Sequence, residues 1–266
     1  MVAQRILKGH TIDESRENVR LSSGDRITSA AYDPSGLAIS EKLRAKSRSL
    51  YQAERNSNDA ISLLQVAEGS LGVMSEMSQR LRELAMQAAT DTVSDMDRSI
   101  IDKEFQSLKN EIKRLTESTK FNGNHIINDK GSVYDLQIGI GGDAFNDRLR
   151  YDMKRVMDSS NNFGIASVDL RSKESAQNSL ATISSMMSQI SASRAELGAM
   201  SNRMTSVIQN IQMSKEGTAA TNSKIRDTDV AKESAEKMKT QISANATAAM
   251  LANANSSPSV ILKLFS

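Results

Sequence analysis

Residues 43–88 read LRAKSRSLYQAERNSNDAISLLQVAEGSLGVMSEMSQRLRELAMQA, and this stretch decides the fold. Leu43, Leu50, Ser57, Leu64, Leu71, Ser78 and Ala85 recur every seven residues, with Ala53, Ala60, Ala67, Met74, Leu81 and Ala88 at the interleaved positions. Small and aliphatic side chains at this period form the seam of a helix packed lengthwise on another helix. A second stretch carries the same period through Ile183, Ile190, Leu197, Met204 and Ile211. The two predict a mainly α chain: a long antiparallel helical coiled-coil bundle, folded back so that its ends meet. Such a pattern points to a building block before it points to a catalyst.

The composition agrees. Of 266 residues, 38% are apolar but only 3% aromatic, with no Trp, which suits thin bundles whose packing knobs must be small. The two prolines, Pro34 and Pro258, leave everything between them free to be helical. The 34 basic and 32 acidic residues are interleaved along the helices, the pattern of a solvated face. Nucleic-acid binding needs a basic patch, often with stacking aromatics, and is not expected. The chain has no Cys, which excludes disulfides and Cys-ligated metal without deciding the compartment. Residues 1–10 lack the apolar core of a cleavable secretory signal, so export would use another route.

Along the chain, residues 1–21 form a weak polar helix with Ile6, Leu7, Ile12, Val19 and Leu21 as sparse anchors. Ser22-Ser23-Gly24 breaks it, and 24–36 is a connector ending with Asp33 as N-cap and Pro34 at the first helical position. A helix over about 35–90 would span roughly 80 Å. Gly69 and Gly72 inside it each cost about 1 kcal/mol, tolerable if they let another helix approach closely. A second helix carries Ile101, Phe105, Leu108, Ile112 and Leu115 and stops at the turn signal Phe121-Asn122-Gly123. Residues 124–165, with alternating Val133, Tyr134, Leu136, Ile138 and Ile140 and nearby glycines, predict two or three short strands. The helical seam resumes at about 175–221, and a last helix covers about 227–255, before Pro258 and an apolar tail at 260–265.

From 241 to 262 no residue is charged. Asn245, Asn253, Asn255, Ser256, Ser257 and Pro258 argue against a membrane span, because hydrocarbon penalises them. An uncharged Ala- and Asn-rich helix instead needs cover from other copies or a chaperone. Met250, Leu251, Val260, Leu262 and Leu264 are its apolar assembly residues.

No catalytic, cofactor or metal site is expected. His10 and His125 lack zinc spacing and any triad context. Gly139-Ile140-Gly141-Gly142-Asp143 lacks the ending of a phosphate loop and reads as a turn between strands. Met74, Met187 and Met204 lie on the seams as gap-filling core.

Several motifs resemble bacterial flagellin. They are Arg20-Leu21-Ser22-Ser23-Gly24-Asp25-Arg26-Ile27, Gly36-Leu37-Ala38-Ile39-Ser40, Arg55-Asn56-Ser57-Asn58-Asp59-Ala60-Ile61-Ser62, Glu68-Gly69-Ser70-Leu71, Gln79-Arg80-Leu81-Arg82-Glu83-Leu84-Ala85 and Phe121-Asn122-Gly123. Near the other end stand Arg194-Ala195-Glu196-Leu197-Gly198-Ala199, Asn202-Arg203, Ile225-Arg226-Asp227-Thr228-Asp229 and Ala249-Met250-Leu251-Ala252-Asn253-Ala254-Asn255. In order and at both ends, they cover most of the chain except about 130–175.

The resemblance implies a structural subunit, not an enzyme, that polymerises with itself into the extracellular flagellar filament for swimming. It implies an inner, lumen-lining domain from 1–32 and 225–266 and an outer helical rod at 33–224, with a β-hairpin region at 121–168 and no large outer domains. It further implies unfolded export through the flagellar type III route, a chaperone on the C-terminal segment, and filament cap and junction proteins as partners. An animal innate flagellin receptor would read Arg80, Leu84 and Glu104, a surface whose other role is packing between subunits; the four-residue spacing puts Arg80 and Leu84 on one helix face. The terminal segments would order only when neighbours supply a missing face. Met1 stands almost directly before Ala3-Gln4-Arg5, where flagellins carry a further short segment, and the first helix is unusually polar. A truncated start or a specialised subunit is the expectation from that departure. A hook–filament junction protein and a cytoplasmic coiled-coil adaptor are the alternatives; the uncharged C-terminus speaks against the adaptor.

Overall fold

A computed structural model of the chain describes residues 2–127, 133–152 and 164–264, with side chains described there except at 152 and 255–264. It is mainly α. In order come α1 (Val2–Ser23), α2 (Pro34–Ala88), α3 (Asp95–Ser118), β1 (Lys120–Phe121), β2 (Asn124–His125), β3 (Val133–Gln137), β4 (Arg148–Asp152), α4 (Lys173–Arg226) and α5 (Val230–Leu264).

The helix starts follow from local chemistry. Asp33 accepts from the Gly36 N–H at 2.8 Å through its carboxylate, with Pro34 first in α2. Ser94 caps α3 by accepting from the Asp97 N–H at 3.2 Å, and Asp95 and Asp97 face the positive end of the helix. The Ser172 hydroxyl accepts from the Ser175 N–H at 3.1 Å before α4, and the Asp229 carboxylate from the Lys232 N–H at 3.1 Å before α5. The last helix therefore begins at Val230 rather than near 227, and it continues to Leu264 past the expected stop at Asn255. Pro258 supplies no N–H there, so the helix runs through it one backbone bond short.

Packing divides the chain into two units. One comprises Met1–Arg48 and Lys215–Ser266, the other Ser49–Ser214, so that α2 and α4 each contribute to both.

The Ser49–Ser214 unit holds the core. Leu50, Leu64, Leu71, Leu81, Ile183, Ile190, Leu197, Met204 and Ile211 are all buried there. Ser57 and Ser78 are buried too, and each hydroxyl donates back to the carbonyl four residues earlier, Ala53 at 2.8 Å and Met74 at 2.6 Å. Glu54 pairs with Gln212 and Glu68 with Arg194, which sets α2 and α4 antiparallel. Phe105 and Ile112 of α3 are fully buried in the same core. No neighbouring helix closes on Gly69 or Gly72 within the subunit: beyond the helix's own nearby backbone, a methyl at either would meet nothing within 4 Å.

The hairpins are short. β1 and β2 pair antiparallel through Phe121 and Asn124, across a two-residue turn in which Asn122 (φ 48°) and Gly123 (φ 82°) both adopt positive φ, as the twist-matched hairpin turn requires. β3 pairs with β4 from Val133 opposite Asp152 to Gln137 opposite Arg148. Between them Asp147 presses on Gly139 and Gly141, where a side chain would collide with it. The remainder of the expected 121–168 strand region, at 128–132 and 153–163, lies outside the described residues.

Candidate assembly interface

Within the terminal unit, the connector after α1 meets the turn before α5. Asp25 and Asp227 form an antiparallel bridge, with Arg26 N–H donating to the Arg226 carbonyl at 2.6 Å and Thr228 N–H to the Gly24 carbonyl at 2.8 Å. The Arg226 guanidinium reaches Asp25 through Nε at 3.0 Å and Nη2 at 3.1 Å, and Glu41 through Nη1 at 2.9 Å. This two-pronged grip on Asp25 is the strong form of a charge-assisted bond. The Asp25 bonds first, and Glu41 next, raise the Arg226 pKa. Arg226 and Arg44 together hold the Glu41 carboxyl below its ordinary value. Ile27 is buried beside this knot and Ser40 is fully enclosed. Asp25, Glu41 and Arg226 carried no signal of partnership in the sequence, since 201 positions separate Asp25 from Arg226.

Beyond the knot, α1 and α5 pair antiparallel. Arg20 bonds Glu233 at 3.2 Å, and the Thr240 hydroxyl donates to Glu17 at 3.0 Å. The half-buried positions of α1 include Ala3, Leu7, His10, Glu14, Glu17 and Leu21; those of α5 include Glu233, Lys237, Thr240, Ala244, Thr247 and Leu251. Both sets follow alternating four- and three-residue spacing, so each helix turns one stripe inward. That stripe is mixed, with Leu7, Leu21 and Leu251 set among Ala, His, Glu, Lys and Thr. Most of the larger apolar residues lie off that stripe: Val2, Ile6, Ile12 and Val19 on α1, and Val230, Met238, Ile242 and Met250 on α5, are all exposed. None of the described residues of α1 is buried. Of the expected anchors, Leu7 and Leu21 turn inward while Ile6, Ile12 and Val19 do not. Met250 is exposed and Leu251 half-buried; the side chains of Val260, Leu262 and Leu264 lie outside the described residues. Leu43 is half-buried in this unit.

In the other unit, Arg80 lies on the surface. It bonds Glu104 on α3 through Nε at 2.9 Å and Nη2 at 2.8 Å, and Glu83 through Nη1 at 3.0 Å. The Glu104 bonds chiefly raise its pKa. Leu84 is not on that surface. It is 2% exposed and belongs to the core, which corrects the expectation that Arg80 and Leu84 present one face. Here α2 faces both α3 and α4, so its buried arc widens beyond the two seam positions and takes in Leu84.

A buried polar cluster in the same unit escaped sequence reading. Asp102 accepts from the Leu170 N–H at 3.0 Å, Gln106 at 3.0 Å and Arg171 at 3.2 Å. Burial pushes the Asp102 pKa up, and these bonds together outweigh it, leaving the carboxyl below its ordinary value. Lys109 donates to the carbonyls of Ala166 at 3.0 Å and Val168 at 3.1 Å, with burial lowering its pKa. The segment returning to α4 is thereby pinned to α3. Arg98 closes the end of α2 by donating to the carbonyls of Ala88 at 2.8 Å and Thr90 at 2.7 Å. Among the described residues no group of His, Asp and Glu is arranged to hold a metal ion, and no helix is long and apolar enough to cross a membrane.

A helical bundle whose paired end helices turn their apolar residues outward belongs to the class of self-assembling structural subunits. Comparison with known proteins gives the family. Residues 1–132 match the bacterial flagellin N-terminal helical region and 180–265 the bacterial flagellin C-terminal helical region. The chain is 40% identical over 245 residues to flagellin of Halalkalibacterium halodurans, covering 92% of this chain and 89% of that one. It is 35% identical to a flagellar filament core protein of Brachyspira hyodysenteriae, covering 98% and 95%. The crystal structure of Bacillus cereus flagellin superposes with a TM-score of 0.51 at 28% identity, over 59% of this chain and 88% of that one. A putative flagellar hook-associated protein from Vibrio parahaemolyticus gives 0.61 at 15% identity, over 74% and 100%, a likeness of fold alone. The chain belongs to the bacterial flagellin family and is a structural subunit of the flagellar filament, outside the cell.

Proposed function

We propose that the paired α1 and α5 form the inner, lumen-lining part of the filament, built from 1–32 and 225–266, and that 33–224 forms the outer rod. The observation that carries this reading is the outward apolar face of the pair. Fixing one residue costs about 1–2 kcal/mol of backbone entropy, and a two-helix pair in which no described residue of α1 is buried recovers little of it. Neighbouring copies supply the missing contact, so ordering of both ends is coupled to polymerisation. The same argument accounts for unfolded export by the flagellar type III route, and for a chaperone that covers the C-terminal segment beforehand. Filament cap and junction proteins contact the same ends. The chain performs no catalysis. On the outer rod, Arg80 and Glu104 form the part of the candidate receptor surface that remains accessible; Leu84 supports it from beneath.

The test is negative-stain electron microscopy of the purified chain with short filament seeds, alongside limited proteolysis of the free subunit. Seeds that lengthen, together with rapid trimming of about 1–23 and 226–266 in the free subunit, are expected. Monomer that ignores seeds, or ends that resist protease, would overturn the reading.

A further inference from the structure

On α5, Met238, Ile242, Ala246 and Met250 follow one another at four-residue spacing, and all are exposed. Side chains so spaced form a continuous ridge of the kind that packs into a groove of another helix. Two of its four members are thioethers, Met238 at 66% and Met250 at 71% exposure. The chain has no Cys, so methionine sulfur is the readily oxidised group available. Met74, Met186 and Met204, by contrast, are fully buried in the other unit.

We propose that Met238 and Met250 are modification sites at which a peroxide controls subunit assembly. The proposal rests on the assembly reading above, in which a second copy of the chain covers this ridge. In the free subunit the sulfur lone pair attacks one peroxide oxygen. An S–O bond forms, the O–O bond breaks, and the departing hydroxide takes the proton of the transferred oxygen and leaves as water, giving the sulfoxide. Sulfur is oxidised by two electrons and the peroxide is reduced. The sulfoxide oxygen is a strong hydrogen-bond acceptor, and burying it in an apolar contact leaves it without a donor. Oxidation thus converts two ridge positions that favour burial into two that oppose it. Once assembled, the same sulfurs are covered and react slowly.

The test treats the full chain with hydrogen peroxide, confirms sulfoxide at both positions by peptide mass spectrometry, and measures the subunit concentration needed to lengthen seeds. That concentration is expected to rise by about tenfold or more. Subsequent treatment with methionine sulfoxide reductases should restore the untreated value. The M238L/M250L variant, in which the ridge stays apolar, should lengthen seeds equally before and after peroxide, although Met96 and Met213 are also exposed and oxidise. Both ridge methionines should oxidise about tenfold more slowly in filaments than in free subunits. An oxidised subunit that assembles at the untreated concentration overturns the proposal and leaves the assembly reading intact. So does a leucine variant that loses assembly on peroxide treatment as fully as the parent. Untreated chain that fails to lengthen seeds overturns both.

Discussion

The Ser49–Ser214 unit and the α1–α5 pair use the same helical periodicity to opposite ends. In the first, Leu71, Met74, Leu81, Phe105, Ile183 and Met204 point inward and are fully buried. In the second, Glu14, Glu17, Thr240 and Thr247 sit on the inward stripe, while Ile12, Val19, Met238 and Ile242 are exposed. A helix folds stably in a subunit when its apolar stripe meets its own chain; a helix whose apolar stripe faces outward is completed by another chain. On the assembly reading proposed above, the difference separates the part of this subunit that folds from the part that assembles.

The largest effect should come from breaking the first region. Phe105→Ala is expected to cost about 3–5 kcal/mol in denaturant unfolding, whereas Ile242→Ala should leave the free subunit within about 0.5 kcal/mol of the parent and abolish growth on seeds. Equal destabilisation by the two would erase the contrast. Next, Lys109→Met strands the Ala166 and Val168 carbonyls and should cost about 1–3 kcal/mol by the same measurement.

A smaller effect concerns acid. Asp102 titrates below its ordinary value in the folded chain, so it contributes stability above an unfolded pKa near 3.9. That contribution is lost as pH falls through the depressed folded value. Unfolding curves of Asp102→Asn between neutral and strongly acid pH should therefore be flatter than those of the parent; parallel curves would show that Asp102 is not the group responsible.

The smallest effect should be that of Arg80→Ala. Both ends of its bridge to Glu104 are about half exposed, and such pairs add little to stability. The unfolding midpoint should not move, while signalling through an innate flagellin receptor should fall; unchanged signalling would leave Arg80 a packing residue between subunits.

The long helices were legible because a seven-residue period survives whatever the helix packs against. The caps at Asp33 and Pro34 and the turn at Asn122-Gly123 were legible because they depend on neighbours in sequence. The burial of Leu84 was not legible because it flanks the seam, and only the arrival of α3 beside α4 widens the buried arc to include it. What approaches Gly69 and Gly72 was not legible, and within the subunit no atom outside their own helix's backbone comes within 4 Å of an added methyl. The Arg226 knot and the Asp102–Lys109 cluster were invisible, since their members are polar residues far apart in sequence with no period to betray them.

Sequence by itself determined that this chain is a long helical bundle, because periodicity and composition are local and additive, and its motifs carried the resemblance to flagellin. Tertiary structure alone decided which polar groups meet and which faces stay open. Those outcomes depend on the direction each helix turns toward a distant partner, and a spacing of three or four residues fixes a stripe without fixing what it faces.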